Sequence, residues 1–361
     1  MMHRTLLLVA ALALGARCQD GAAPEAPSRP VADAAGRLEK IEGITVVRLH
    51  GSPRQMGTQA GTLLKEQIQV LLRDYLGAAL PEDRTLPLLA ARLMEKHIPE
   101  RYREEMKALA EAAGVPYDDV LIGNVMVELF QQCSTAVVRG KRAAGGTLLF
   151  GRNLDFPPEG ILEKHSVVVD YAPEKGRRFV AVTWPGLVGV LSGMNRDGLC
   201  AANLLASAPA PSLDGCPYMF LLRDVMEGAG TVEEGLAILR KARRTTANSI
   251  MLADAKSAAV AEATHEKVAV REIEDDRLFA TNDFRSDQDV RCDRYDTLVD
   301  LVSAAKAPLG TKDMEQILDA VDLDEINVQC MIFVPERREI RLSLGRTPAA
   351  QGPFVSLKPW K

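Results

Sequence analysis

Cys133-Ser134-Thr135 and Gly151-Arg152-Asn153-Leu154-Asp155-Phe156 place a thiol, a guanidinium and a carboxylate at the ends of two β-prone runs, 134–138 and 147–151. Residues 139–146 between them read as a hairpin loop, so the runs would lie side by side. A cationic neighbour favours the thiolate, the reactive form of cysteine, and the carboxylate could orient an amine. Taken alone, a free cysteine is usually a small buried hydrophobe. Its company argues for a nucleophile, while a structural Arg152–Asp155 ion pair stays open as the alternative. Just before Cys133 the pattern switches from helix to strand, a natural point for processing. Were the bond between Gln132 and Cys133 cut, Cys133 would carry both a thiol and a free α-amine. With an unperturbed pKa of about 7.7–8.0, that amine can act as base for its own side chain. A Cys–His pair is the competing chemistry. No histidine offers it: His3 lies at the N-terminus, and His50, His97, His165 and His265 read as surface or strand positions.

Composition narrows the classes. The chain has 361 residues, 47% of them hydrophobic and 26% charged, enough to bury a sizeable core in one large domain or two ordinary ones. Lys and Arg number 44 against 49 Asp and Glu, with no basic block, which argues against nucleic acid as a partner. No apolar run approaches the ~20 residues that span a bilayer. There is no CxxC or HExxH pair, so no metal or cofactor is called for. Leaving Cys18 aside, Cys133, Cys200, Cys216, Cys292 and Cys330 are an odd set, so a monomer keeps at least one free thiol and no pairing can be chosen.

The elements that must position these residues follow from periodicity. A strand at 44–49 leads into helical spacing over 53–76, with Gly57 and Gly61 on one face for close packing. Further helical stretches cover 86–97, 101–113 and 120–130. After residue 133 strands dominate: 134–138, 147–151, 165–171, 178–184, 188–194, 199–205, 249–254, 258–263, 268–272 and 278–281. Helices fall at 218–227, 232–240, 291–303 and 313–321, and a last hairpin at 328–334 and 339–344. Antiparallel meanders flanked by helices predict an α+β fold, two sheets packed between helices.

Residues 1–16 have a short basic start, an apolar stretch and small residues, the layout of a secretory signal peptide. Residues 17–42 read as a disordered leader rich in Ala, Pro, Asp and Glu. The expected location is secreted or periplasmic.

Cys133-Ser134-Thr135 with Gly151-Arg152-Asn153-Leu154-Asp155-Phe156 resembles the N-terminal-nucleophile hydrolases of the acyl-CoA:6-aminopenicillanate acyltransferase type, related to choloylglycine hydrolases and acid-ceramidase-like amidases. The run Leu49-His50-Gly51-Ser52-Pro53-Arg54-Gln55-Met56-Gly57 is similar to the start of that family's prosegment. Gly193-Met194-Asn195-Arg196-Asp197-Gly198-Leu199 and Ala280-Thr281-Asn282 are similar to its later motifs. The resemblance covers most of the chain from about Gly43.

The resemblance implies a four-layer αββα sandwich spanning 133–361, preceded by a helical prosegment at 43–132 that stays bound after self-cleavage between Gln132 and Cys133. It implies a cysteine amidohydrolase or acyltransferase acting on a linear amide, a small N-acyl compound, through a thioester, with no cofactor. Cys133 would be nucleophile and base, Arg152 would sit beside the thiol, and Asp155 would hold the α-amine. Asn203 falls where the bile-salt enzymes carry an active-site asparagine, Asn282 would donate to the oxyanion, and Arg294 would support the site charge, with Arg291 its rival. Asn203, Asn282 and Arg294 also read as a strand cap, a turn residue and a solvated helix face. The loop 139–146 is about three residues longer than in the relatives, which bears on the substrate rim. A catalytically silent secreted binding protein on the same fold and an unprocessed structural protein are the rival classes.

Overall fold

Ser52 starts the first helix among the described residues. Its side chain accepts the Gln55 N–H and Gln55 reaches back to Ser52, closing a capping box ahead of α1, Pro53–Leu63. The computed structural model describes residues 35–128, 132–207, 211–286 and 290–360. The expected signal peptide, 1–16, lies outside them, as does the expected leader up to residue 34. That leader gives way to structure earlier than its composition suggests: Arg37–Ile41 is a strand, β1, paired antiparallel with β2, Ile44–Gly51. Glu42 and Gly43 both take positive φ between Ile41 and Ile44, the tight turn that suits the strand twist.

The helical stretch expected over 53–76 is divided. After α1 come α2, Lys65–Val70, a π-turn at Leu71–Tyr75, and α3, Leu76–Ala79. Helices α4, Thr85–Glu95, α5, Glu100–Ala113, and α6, Tyr117–Met126, follow. Gly57 and Gly61 serve close packing: a Cβ on either would meet the α5 backbone, Glu105 O at 2.2 Å or Leu109 O at 2.4 Å.

The rest of the chain is strand-rich. Strands β3, Gln132–Gly140, β4, Gly146–Asp155, β5, Val167–Pro173, β6, Phe179–Thr183, β7, Ser192–Asn195, and β8, Cys200–Leu205, come first. Helices α7, Tyr218–Gly228, and α8, Val232–Lys241, precede β9, Asn248–Ala253, β10, Ala258–Ala263, β11, Val268–Glu272, and β12, Arg277–Ala280. Then come α9, Asp293–Ala304, α10, Thr311–Asp319, β13, Asn327–Val334, β14, Glu339–Ser343, and β15, Val355–Leu357.

Among the described residues the strands form two sheets, ordered β1-β2-β5-β6-β7-β8-β9-β10-β11 and β12-β3-β4-β13-β14-β15. Pairing is antiparallel except between β2 and β5. The sheets face each other where β3 packs on β8; α7 and α8 cover the first sheet, and α9 and α10 the second. This is the expected αββα sandwich, but its first sheet also takes in β1 and β2 from before residue 133, where a helical prosegment was expected; α1, α5 and α6 add to the helical cover of that sheet's side. One apolar core fills the sandwich and reaches under α1 to α8; a second lies beneath α9 and α10. No helix of the described residues is long and apolar enough to cross a membrane.

Candidate active site

Strand alternation divides the labour around Cys133. Cys133 pairs with Leu154 and Thr135 with Arg152, so thiol and guanidinium share one face of the hairpin as diagonal neighbours. That face looks into the sandwich, since Arg152 Nε donates to Ser192 Oγ of the opposite sheet at 3.2 Å. Cys133 and Arg152 are both fully buried. Burial pushes the Cys133 thiol up to about 11, against the opposing pull of the Arg152 charge. Arg152 Nη1 and Nη2 are buried with no nitrogen or oxygen hydrogen-bond partner among the described residues, which leaves the guanidinium turned to the thiol.

Asp155, paired with Gln132, turns to the other face. There the main chain of Cys133, rather than its thiol, is held. Asn282 Oδ1 accepts the Cys133 N–H at 2.8 Å, and Arg294 Nη1 donates to the Cys133 carbonyl at 3.0 Å. Arg294 Nη2 donates to the same Asn282 Oδ1 at 2.9 Å, and its Nη1 lies 3.5 Å from Asp155 Oδ2. Burial raises the Asp155 carboxyl to about 7, although the Asn327 amide, Arg294 and Arg152 all draw it down.

Arg294 reaches the site from the first turn of α9, whereas its rival Arg291 is 89% exposed and pairs with Asp293 at 3.4 Å. Asn282, expected as the oxyanion donor, lies at the Cys133 main chain. Its Nδ2 donates to Leu205 O at 2.6 Å, so in the uncut chain the amide ties β8 to the Cys133 nitrogen.

Asn203 does not join them. Ser192 pairs with Ala202, so Asn203 lies on the opposite face of that sheet from Ser192 and Arg152. It bonds Asn248 there, Nδ2 to Oδ1 at 3.0 Å. Asn248 in turn donates to Thr246 Oγ1, and Thr246 to Glu128 Oε2, so Asn203 belongs to a chain of contacts leading to the end of the helical segment. The longer loop at 139–146 is also remote, at the end of β3 away from Cys133, roughly 20 Å along the strand. It is pinned there by Ala144 N–H to Leu309 O and Leu309 N–H to Arg142 O, so it does not border Cys133.

The helical segment meets the strand-rich part through two side chains the sequence did not single out, of which Tyr75 lies nearer the site. Tyr75, presented by the π-turn, donates to Pro157 O at 3.0 Å and its ring lies 6.4 Å from that of Phe156, next to Asp155. Glu128 is buried and accepts from Tyr218 N–H at 2.5 Å, Thr245 Oγ1 at 2.5 Å and Thr246 Oγ1 at 2.9 Å. Ser192, Asn327 and Glu128 carry no motif; a polar residue among apolar neighbours is the one signal each left. Among the described residues Cys133, Cys200, Cys216, Cys292 and Cys330 are free thiols.

Residues 142–302 match the family model of acyl-coenzyme A:6-aminopenicillanic acid acyl-transferase, a stretch holding every candidate site residue except Gln132 and Cys133. An uncharacterized protein of Archaeoglobus fulgidus is 28% identical over 269 residues, 63% of this chain and 45% of that protein. Acid ceramidase of Bos taurus is 26% identical over 206 residues, 48% of this chain and 49% of the ceramidase. A solved Caenorhabditis elegans N-acylethanolamine-hydrolyzing acid amidase ortholog aligns at TM-score 0.46 and 19% identity, covering 56% of this chain and 93% of that one. The chain spans about half the length of the curated relatives it matches.

Proposed function

We propose that this chain, a relative of the acyl-coenzyme A:6-aminopenicillanic acid acyl-transferase family, is an exported, self-cleaving cysteine amidohydrolase or acyltransferase acting on linear amide C–N bonds. The observation that carries the proposal is the convergence on one residue: Arg152 beside the Cys133 thiol, and Asn282 and Arg294 on its backbone nitrogen and carbonyl. A structural ion pair between Arg152 and Asp155 would not need the main chain of Cys133 gripped from both sides.

The uncut chain is dormant. Its Cys133 nitrogen is an amide and cannot serve as a base, and its thiol is held up at about 11 by burial. Activation begins when the thiol attacks the Gln132 carbonyl carbon. The acyl group shifts from nitrogen to sulfur, and the thiol proton passes to the freed amine. Water then hydrolyses the thioester, leaving a Gln132 carboxylate and a Cys133 with thiol and α-amine. In turnover that amine takes the thiol proton, the thiolate attacks the substrate carbonyl, and the ammonium protonates the departing nitrogen. Water or a second amine takes the acyl group from the thioester. Asp155 and Asn282 hold the amine, and Arg152 steadies negative charge at sulfur and the adjacent oxygen.

The name of the ceramidase and that of the acid amidase ortholog make N-acyl lipids the first substrates to offer, followed by bile-salt amides and penicillins. The test is mass analysis of purified active protein. A prosegment ending at Gln132 and a second chain beginning at Cys133, both absent from Cys133→Ala, are expected. A fully active single uncut chain would overturn the proposal, and so would cleavage there in Cys133→Ala. A folded protein cut at that bond but inert toward every amide offered would favour the silent binding protein.

A further inference from the structure

Strand β13 carries an extra residue where it meets the end of β4. Asn327 pairs with Asp155 and Gln329 with Leu154, so Val328 has no opposite number. In a regular ladder Asn327 and Gln329 would share one face, the face of Leu154. The bulge instead turns Asn327 onto the face of Asp155, the kind of re-aiming that bulges perform beside functional sites.

The contact that results is specific. Asn327 Nδ2 donates to Asp155 Oδ1 at 2.8 Å, and Asn327 Oδ1 accepts the Ala350 N–H at 2.7 Å. Both side chains are fully buried. The second carboxylate oxygen, Asp155 Oδ2, has no hydrogen-bond partner among the described residues, with Arg294 Nη1 at 3.5 Å as an ion-pair neighbour. Arg294 from α9, Arg152 from β4 and Asp322 from the turn before β13 are the charges that bear on this carboxylate. Two of them are guanidinium groups, each able to draw a freely rotating carboxylate into a two-pronged pair. A neutral donor on one oxygen prevents that rotation without adding charge.

We infer that Asn327 is a positioning residue: anchored on the Ala350 N–H, it pins one oxygen of Asp155 and leaves the other for the nitrogen of Cys133. This rests on the reading of Cys133 as an N-terminal nucleophile, which gives Asp155 the freed amine to hold; in the uncut chain Asn282 accepts that N–H, and Arg294 links Asn282 to Asp155.

Asn327→Asp separates the two bonds. The new carboxylate still accepts from Ala350 but offers Asp155 no donor at neutral pH. On any amide the wild type turns over, kcat per cut molecule should fall at least about tenfold with KM within about twofold. Part of the loss should return at acid pH, where two facing carboxyls share a proton. A purely structural role would lower the melting temperature without this kcat-against-KM split or acid recovery. A chain that melts like wild type but stays uncut also supports the inference; wild-type cutting with a wild-type kcat and pH profile overturns it. Should Asn327→Asp fail to fold, Asn327→Ser, whose hydroxyl is too short to reach Asp155, is read by the same criteria. Asp155→Asn is run alongside. If that variant keeps wild-type turnover, the reading of the site itself falls; if it is dead while the folded Asn327 variants are normal, only the inference about Asn327 falls.

Discussion

Asn282 Oδ1 accepts the backbone N–H of Cys133 at 2.8 Å and, on the same oxygen, a donor of Arg294 at 2.9 Å, while its Nδ2 is bound to Leu205 O. The nitrogen proposed to become the catalytic amine is thus located by a neutral acceptor that a cation polarises. Losing this acceptor leaves the nitrogen free to drift from the thiol it must deprotonate. Asn282→Ala is therefore expected to slow both cleavage and amide turnover at least about tenfold, the scale of losing one preorganised polar contact in other hydrolases. Mass analysis of cleavage and initial-rate assays on the cut fraction check it. Wild-type rates in both would remove Asn282 from the chemistry.

Cys133, Arg152 and Asp155 were legible in the sequence because a hairpin is local. Two short β-prone runs and the turn between them fix which residues face each other, so the spacing alone brings thiol and guanidinium together. Most strands and helices after residue 133 were legible for the same reason, although β15 was not expected and only the end of the run at 188–194 is strand. The face of Asn203 was not, since it depends on the register between β7 and β8 rather than on its own strand. Asn327 was hidden by a bulge, which reverses the parity that an alternation pattern assumes, and the last hairpin was expected to begin one residue after it. Strand β1 was masked by the Ala- and Pro-rich residues ahead of it, although Glu42-Gly43 between two isoleucines is a turn signal.

Arg223 of α7 ties the helical segment, the proposed prosegment, to the strand-rich part that follows it. Its guanidinium donates to both carboxylate oxygens of Glu105 on α5, at 2.9 and 2.7 Å, with both side chains 1% exposed. Tyr102 and Tyr171 flank the cation at 4.6 and 4.5 Å. Removing one partner of a buried pair costs about 3–5 kcal/mol where the other charge is left stranded; here Arg223 keeps Glu227 at 2.9 Å, so the loss should lie toward or below the low end. Glu105→Ala should fold less stably and, once cut, release its prosegment on gel filtration under conditions where the wild-type pieces co-elute. Co-elution equal to wild type would show that apolar contacts alone hold the pieces.

Gly57 and Gly61 make the companion case for packing. The backbone of α5 leaves no room for a Cβ at either position, and a helix carbonyl cannot swing aside as a flexible side chain can. Gly57→Ala should lower stability by about 1–3 kcal/mol, the usual cost of overpacking, read as a lower thermal midpoint. An unchanged midpoint would mean that α1 can ride away from α5 at no cost.

Glu128 sets a pH dependence on the uncut chain. It is buried with three hydrogen-bond donors and no cation against it, and burial raises its carboxyl to about 7. A carboxyl raised in the folded state stabilises the fold fully below its unfolded pKa of about 4.3, and that contribution is lost as pH rises through about 7. Asp155, also raised to about 7, acts in the same direction. In the Cys133→Ala background, Glu128→Gln should therefore raise the melting temperature more at about pH 8 than at about pH 5. An equal effect at both values would mean that Glu128 does not change charge in the folded chain over that range.

Arg294 and Arg291 provide a matched pair at the start of α9. Arg294 is 18% exposed and touches Asp155, Asn282 and the Cys133 carbonyl, whereas Arg291 is 89% exposed beside Asp293. The same substitution at each separates a local effect from a general loss of positive charge. Arg294→Met keeps the long apolar stem but removes every bond to the site. Asn282 then loses the cation that polarises its acceptor, and the Cys133 carbonyl loses its donor. Cleavage and kcat should each fall at least about tenfold, while Arg291→Met should match wild type in both, as expected for an exposed charge whose pairing is worth little. Equal losses in the two variants would show that the field of this helix end matters rather than the contact. No loss in Arg294→Met would leave the Cys133 main chain held by Asn282 alone.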